Sequence, residues 1–487
     1  MRRLLVTLIL IAVCAPLPAA DDLETQMKTL LGVYALVEQN AADAVTPDQA
    51  LYQGAIPGLL RKLDPHSVFF DPGQFEQLKK MEQSTQKGFG SVVSLLPGRV
   101  IVLQTLPGTP SAKAGLSPGD EILTINGYVV ARLDLEQLTQ LLTMARQQQA
   151  HIEVMRPGSA RVMRLTLTPE DVQSPSVDRA FFVGPGIGYV RATSFDENTV
   201  QELKGAIDKL GGKRLAGLIL DLRNNPGGLL TAAIQTASLF LEPDDKILTV
   251  RGRNVPEKSE RVPSDAAPYG CRLAILINGK TASASEIVSG AMQDHDRATI
   301  LGEPSFGKGL VQSVFPMSEG TGLALTTALY YTPSGRSIQR PLAAEFELGG
   351  ATAHPNAQPV FHTDKGRPVT GGGGIQPDIT VYPTPTNRLR IVLDASGSFT
   401  NFATEYLRDH KVGVDFEVTP ELLDRFRVFL SQRGIQPSVG EWSSEQDFIR
   451  SRLLAEIFNQ ALGVEKGDEV EAGRDPVIQK ALEALGS

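Results

Sequence analysis

Residues Leu273-Ala274-Ile275-Leu276-Ile277-Asn278-Gly279-Lys280-Thr281-Ala282-Ser283-Ala284-Ser285-Glu286 run from an apolar stretch through a polar turn into a helical pattern, Ala284–Met292. A short apolar run that feeds a helix is half of a βαβ unit. The same alternation occurs upstream. Apolar runs at Leu215–Leu220 and Ile247–Val250 are interleaved with helical patterns at Thr199–Leu210 and Leu229–Leu241. Repeated alternation predicts an α/β core with a mostly parallel sheet, assigned to residues 171–387. Two β-like stretches, Val311–Phe315 and Leu323–Tyr331, follow Lys308, and the Gly- and Pro-rich segment 346–374 reads as loop.

On either side of this core the periodicity changes. Residues 87–170 contain short strands such as Val100–Leu103 and Glu121–Ile125 between Gly and Pro turns. One helix is expected there at Leu133–Ala145, with Leu135, Leu138, Leu141 and Leu142 on its inner face. Residues 21–86 read as helical, since Leu23, Met27, Leu30, Leu31, Tyr34 and Val37 recur at three and four. The segment 388–487 also reads as helical, and Thr419-Pro420-Glu421 supplies an N-cap, a first-turn proline and a first-turn acid. At the start of the chain, Arg2 and Arg3 precede an apolar run, Leu4–Val13, and a small-residue exit before Asp21. That pattern predicts a signal peptide over residues 1–20. Val13 occupies the place where a lipid-anchored Cys14 would need a small residue, so no anchor is expected.

Composition narrows the function classes. The 487 residues carry 47 Lys and Arg against 55 Asp and Glu, a net charge of −8 that becomes −10 once residues 1–20 are removed. This acidic balance argues against a nucleic-acid binder. Two cysteines, Cys14 and Cys271, can make neither a disulfide framework nor a Cys-based zinc site.

Three readings compete at Ser283. A P-loop needs a Gly-rich stretch before Gly279-Lys280-Thr281, but a strand stands there. Ser283 followed by Glu286 is a capping box. Alternatively Ser283 is a nucleophile at a helix N-terminus, where backbone N–H groups can hold an oxyanion. A nucleophilic serine needs a base. His295, twelve residues along the same helix, would lie about 18 Å away. Lys308, within Gly302–Gly309, is the better candidate, provided burial lowers its pKa from about 10.4 toward about 7–8. Asp221–Gly228 ends another strand, and its glycine pair can expose N–H groups at the carboxyl edge of a parallel sheet.

Together these segments resemble the carboxyl-terminal processing proteases, serine peptidases of the S41 type with a Ser–Lys dyad and an embedded PDZ domain. The resemblance spans about residues 50–385. It rests on Leu63–Ser67, the 87–170 module, Ile187–Val190, Asp221–Gly228, Thr281–Glu286, Gly302–Gly309, Tyr331–Gln339 and Gly373–Asp378, in the family's order. It implies Ser283 as nucleophile, Lys308 as general base and Gln312 as the lysine's hydrogen-bond partner. Four residues of straight strand span about 13 Å, so the chain must bend near Gly309 for those last two to meet. Ala284 and Gly228 are the implied oxyanion donors, and Gly88-Phe89-Gly90 the loop that captures a substrate's terminal carboxylate. Asp294 matches an acid that matters in some members and equally suits a structural helix end.

The resulting expectation is an α/β multidomain protein: a crotonase-like α/β protease core, an inserted β-rich PDZ domain, and helical N- and C-terminal flanks. The expected function is an exported, periplasmic or secreted, serine endopeptidase without a cofactor or metal. Its partners would be protein or peptide substrates read at their C-termini, with no nucleic acid. An adaptor protein and homo-oligomerisation through the helical ends are implied by analogy. The rival reading is a non-catalytic PDZ scaffold that binds peptides without cleaving them.

Overall fold

Leu218, Ile219, Leu220, Ala274, Ile275 and Leu276 have no exposed surface. Their strands, Gly217–Asp221 and Arg272–Ile277, lie in the middle of a six-stranded sheet and are covered on both faces. In the computed structural model, which describes residues 19–82, 85–156, 161–341 and 359–486, the sheet order is Val177–Gly184, Ile187–Ala192, Gly217–Asp221, Arg272–Ile277, Ala298–Gly302 and Ile379–Thr380. The first pair is antiparallel and every later pair parallel. The signal peptide expected over residues 1–20, with Cys14, lies outside the described residues except for Ala19 and Ala20, which open the helix Ala19–Asn40.

Strand side chains alternate between faces, so the sheet has two cores. Leu218, Leu220, Ile275 and Ile300 pack with Leu203, Ala233, Ile287 and Val288 from the helices Thr199–Lys209, Leu230–Ser238 and Ala284–Asp294. Ile219, Ala274, Leu276 and Leu301 pack on the opposite face with Val477, Ile478, Ala481 and Leu485, at the far end of the chain. The helix Pro476–Ala484 thus completes the core fold, although its sequence lies about a hundred residues beyond the expected core boundary. Arg223 fixes it further by pairing with Asp475 at 2.7 Å.

One expected strand belongs elsewhere. The run Ile247–Val250 forms the strand Lys246–Arg251, which pairs antiparallel with Lys258–Arg261 and with Leu329–Tyr331 and stays out of the parallel sheet. A four-residue apolar run carries no information on the direction of its neighbours. Part of the expected loop 346–374 also forms a small hairpin, Val360–His362 with Pro368–Thr370; residues 342–358 lie outside the described residues.

The module expected over 87–170 has a sheet ordered Ser91–Leu96, Arg99–Thr105, Glu121–Ile125, Ala150–Met155 and Val162–Leu167. Its helix runs Leu135–Ala145, started by Asp134 and Gln137 in a reciprocal capping box, and buries Leu138. The sequence Thr85–Gly88, of which Thr85 and Gln86 were counted with the N-terminal helices above, is a strand that pairs antiparallel with Glu170–Gln173. This two-stranded ribbon carries the chain into and out of the module.

The chain divides into two compact units, and the sheets and helices described so far, apart from the helix Ala19–Asn40, belong to the one comprising residues 76–312 and 327–487. The same unit includes helices Arg388–Ala395, Ser398–Asp409, Pro420–Gln432 and Val439–Ala461, which share a core of Leu389, Phe399, Phe402, Phe426, Phe429 and Leu453. Thr419 caps the third of these helices by accepting the Leu422 N–H at 3.3 Å. The other unit comprises residues 1–75 and 313–326. Its helix Ala19–Asn40 leaves Leu23 and Leu36 well exposed. Its short strand Val68–Phe70 pairs with Gly322–Ala324 after an Asp64–Ser67 turn, in which Asp64 accepts the N–H groups of His66 and Ser67.

Because Ile478 is buried against the second face of the sheet, Ile478→Ala should destabilise the protein by about 2–5 kcal/mol. Denaturant unfolding monitored on the full chain checks this. A midpoint unchanged from wild type would mean that the terminal helix is not part of the cooperative core.

Candidate active site

Two loops leave neighbouring strands at the carboxyl edge of the parallel sheet, where ligands bind in folds of this kind. The strand Arg272–Ile277 leads into Asn278–Ser283, and Gly217–Asp221 leads into Leu222–Gly228. Side chains stitch the two together. Thr281 Oγ1 donates to the Leu222 carbonyl at 2.8 Å, the Ala282 N–H to the Asn225 carbonyl at 3.0 Å, and Ser285 Oγ to the same carbonyl at 3.2 Å. Asn225 also donates to the Ala192 carbonyl, fixing the loop to a third strand end.

Ser283 sits at φ 53°, ψ −115°, immediately before the helix Ala284–Asp294. A serine with positive φ is strained by about 1–3 kcal/mol, and here it turns sharply from strand to helix in the manner of a nucleophile elbow. Thr281 and Ser285 stand where such elbows usually have glycine. The space is made instead by Gly227, where a Cβ would lie 2.8 Å from Ser283 Cβ and from the Ala284 nitrogen. The Gly227 carbonyl accepts the Phe195 N–H at 3.0 Å, so in a trans peptide the Gly228 N–H points away from Phe195. Neither the Gly228 nor the Ala284 N–H makes a hydrogen bond among the described residues.

Lys308 reaches the same place from the strand edge beyond Gly302. Its Nζ donates to Gln312 Oε1 at 2.9 Å, so the two residues meet as expected. Lys308 stands outside the strand that carries Gln312, which begins only at Leu310, and the Gly309 N–H donates to Gln339 Oε1 at 2.8 Å. Ser283, Lys308 and Gln312 are all half-buried.

The residue that unites these parts is Glu286, whose side chain is fully buried. Its Oε2 accepts the N–H of Ser283 at 2.9 Å and the N–H of Lys308 at 2.9 Å. Its Oε1 accepts the N–H of Gly307 at 2.7 Å and the hydroxyl of Ser305 at 2.5 Å. Burial pushes the Glu286 carboxyl up, and these four donors oppose that shift by favouring the anion. The sequence pattern identified only a cap at this position, and no spacing rule connects Glu286 to Gly307 and Lys308. A second clamp went unseen as well. The buried Tyr330 hydroxyl lies 2.9 Å from the Lys308 carbonyl and 3.2 Å from the Ser283 carbonyl. Burial raises the Tyr330 pKa well above its ordinary value, which keeps the hydroxyl a donor.

At the far end of the helix, the acid and the histidine singled out from sequence are both tied to neighbouring segments. Asp294 is buried in an ion pair with Arg336 at 2.7 Å and accepts the Ser334 N–H at 3.0 Å, anchoring the Tyr331–Gln339 turn. His295 caps the C-terminus of the helix, and its two ring nitrogens lie 2.7 Å from Asp364 Oδ2 and 2.7 Å from the Lys246 carbonyl. Burial disfavours its charge, but the Lys246 carbonyl and Asp364 outweigh that and raise its pKa.

The β-rich module contains a groove of about 210 Å³ lined by Gly88, Phe89 and Gly90, by the edge strand from Ser91, and by Leu142 and Ala145 of its helix. The carbonyls of Phe89 and Gly90 accept the N–H groups of Ser111 and Leu106, both at 2.8 Å. The Phe89 and Gly90 N–H groups make no hydrogen bond among the described residues. Among the described residues Ser91–Leu96 is paired on one side only, leaving a free strand edge beside that loop.

Replacing Glu286 by glutamine keeps its shape but sets an NH₂ group against N–H donors. Glu286→Gln should cut the turnover that the resemblance implies by about 100-fold with little change in KM. Turnover equal to wild type would show that Glu286 does not position the two loops. For His295, whose folded pKa is raised above 6.5, the stabilisation is complete below that value and is lost as pH rises through the folded pKa. The melting-temperature gap between wild type and His295→Gln should therefore narrow as pH rises above about 6.5. A constant gap would refute the assignment.

The model of peptidase family S41 matches residues 186–348, and that of the PDZ domain residues 77–155. A carboxy-terminal-processing protease of Bartonella bacilliformis is 37% identical over 311 residues, 61% of this chain and 68% of its own length. A carboxyl-terminal-processing protease of Synechocystis is 36% identical over 292 residues, 59% of this chain and 68% of the relative. Among solved structures, the photosystem II D1 C-terminal processing protease is similar at 28% identity over 72% of this chain and 86% of its own, with a TM-score of 0.39. With both family models matched and a 37% identical relative covered over two thirds of its length, the chain belongs to the carboxy-terminal processing proteases of peptidase family S41 and carries their PDZ domain.

Proposed function

We propose that this member is an exported serine endopeptidase which captures the C-terminal end of a protein substrate in its PDZ groove and cleaves with a Ser283–Lys308 dyad. The observation that carries the reading is the shared carboxylate oxygen of Glu286. It holds the backbones of Ser283 and Lys308 one hydrogen bond apart from a single atom, while Gln312 orients the lysine Nζ. In the reaction, neutral Lys308 takes the proton from Ser283 Oγ as that oxygen attacks the scissile carbonyl carbon. The N–H groups of Ala284 and Gly228 receive the oxyanion. The C–N bond then breaks, the lysine returns its proton to the departing amine, and water activated by Lys308 hydrolyses the acyl ester.

The core on which this takes place is read as crotonase-like, with helical regions at both ends of the chain. Support for tail capture comes from the unbonded N–H groups of Phe89 and Gly90 beside a free strand edge, since an extended peptide can add as a strand there and present its carboxylate to the loop. Export rests on the Arg2–Ala20 pattern alone; no helix among the described residues is long and apolar enough to cross a membrane.

Ser283→Ala and Lys308→Ala should each lower cleavage of an unstructured protein at least about 1,000-fold while leaving the melting temperature near wild type. Either variant retaining wild-type turnover would remove that residue from the mechanism.

A further inference from the structure

The PDZ groove has a charge that its apolar floor does not explain. Its lining includes two cations, Lys87 and Arg146, and no acidic residue. Both are exposed, and neither makes an ion pair or side-chain hydrogen bond among the described residues. Their freedom stands out because the module's acids are largely committed to other cations. Glu121 pairs with Arg99 at 2.7 Å, Asp120 with Arg156 at 2.8 Å, Glu153 with Arg164 at 3.0 Å and Glu170 with Lys113 at 2.9 Å. Asp134 is used as a helix cap. Asp171, directly across the ribbon from Lys87, has its carboxylate 3.6 Å from Lys80. Residues 87–170 carry eight Lys and Arg against six Asp and Glu, a balance of +2 in a chain of −8.

A terminal carboxylate already has receivers in the Phe89 and Gly90 N–H groups. Two further cations on the rim exceed the need of one negative charge. Lys87 immediately precedes the carboxylate loop in sequence, and Arg146 ends the helix that forms the opposite wall. A peptide lying between that helix and the strand edge therefore passes both.

We propose that Lys87 and Arg146 select substrate tails bearing an acidic side chain among the three residues that precede the last one. This rests on the reading of the groove as a tail-binding site. Each rim pair is solvent-exposed, so its effect on affinity is moderate and screened by salt. It acts in the choice among tails and leaves the chemistry at Ser283 untouched.

Fluorescence anisotropy on the full chain carrying Ser283→Ala tests this with labelled peptides of one length. These are a neutral tail, the same tail with a C-terminal amide, and three tails with aspartate in turn at the second, third and fourth positions from the end. The best aspartate tail should bind about threefold to tenfold more tightly than the neutral one at low salt, with the advantage shrinking as salt rises. The advantage should vanish in the double variant Lys87→Gln, Arg146→Gln and reverse in Lys87→Glu, Arg146→Glu. Equal binding of neutral and aspartate tails, or a preference that survives in the glutamine variant, overturns the proposal while leaving tail capture intact. An amide that binds as well as the free acid overturns tail capture itself, and this inference with it.

Discussion

One buried carboxylate organises the site. Glu286 lies on the first turn of a helix that starts at the sheet's carboxyl edge, and it reaches back to the residue before the helix as well as across to the Gly307–Lys308 turn. Burying an unpaired carboxylate would cost several kcal/mol. Four donors meet this one, so the anion holds in place the chain segments that supply them. The strain at Ser283 is tolerable for the same reason. A positive φ persists only where surrounding bonds over-determine it, and the Ser283 backbone is held by Glu286 at its N–H and by Tyr330 at its carbonyl. Removing either clamp frees the serine to relax, and the lysine turn loses a contact in the same step.

What could be read from the sequence, and what could not, follows from the range of the interactions involved. The strand at Arg272–Ile277 and the helix at Ala284–Asp294 were legible because their apolar patterns are local. So was the helix Pro420–Gln432, with its Thr419 cap and buried Leu422, Leu423, Phe426, Phe429 and Leu430. Glu286 was recognised as a cap for the same local reason. Its ties to Ser305, Gly307 and Lys308 cross about twenty residues and leave no periodic trace. Tyr330 lay in a stretch that read only as β-like. The strand Lys246–Arg251 was found but given the wrong partners, since pairing direction is decided by neighbours far along the chain.

The C-terminal region shows a similar division. Its first four helices form a core of their own, rich in phenylalanine, while the last helix seals the second face of the protease sheet. Amphipathic stripes in the sequence mark both kinds of helix alike, because a stripe records that a face is buried and not what buries it. Arg223 is informative here. It lies in the Asp221–Gly228 turn, bonds Asp221 and pairs with Asp475, so the glycine loop beside Ser283 is braced from the end of the chain. The buried Tyr189 hydroxyl donates to the same Asp221 at 2.7 Å.

The ribbon of Thr85–Gly88 against Glu170–Gln173 has a consequence for how such enzymes diversify. Paired strands lie about 5 Å apart, so the chain enters the module and leaves it at nearly one point, with a whole domain held between. A module of that geometry can be exchanged, shortened or replaced without rethreading the sheet beside Ser283, because its two ends leave side by side. The module and the sheet can then change on separate schedules, since a substitution on the groove rim of one touches no residue of the other's sheet.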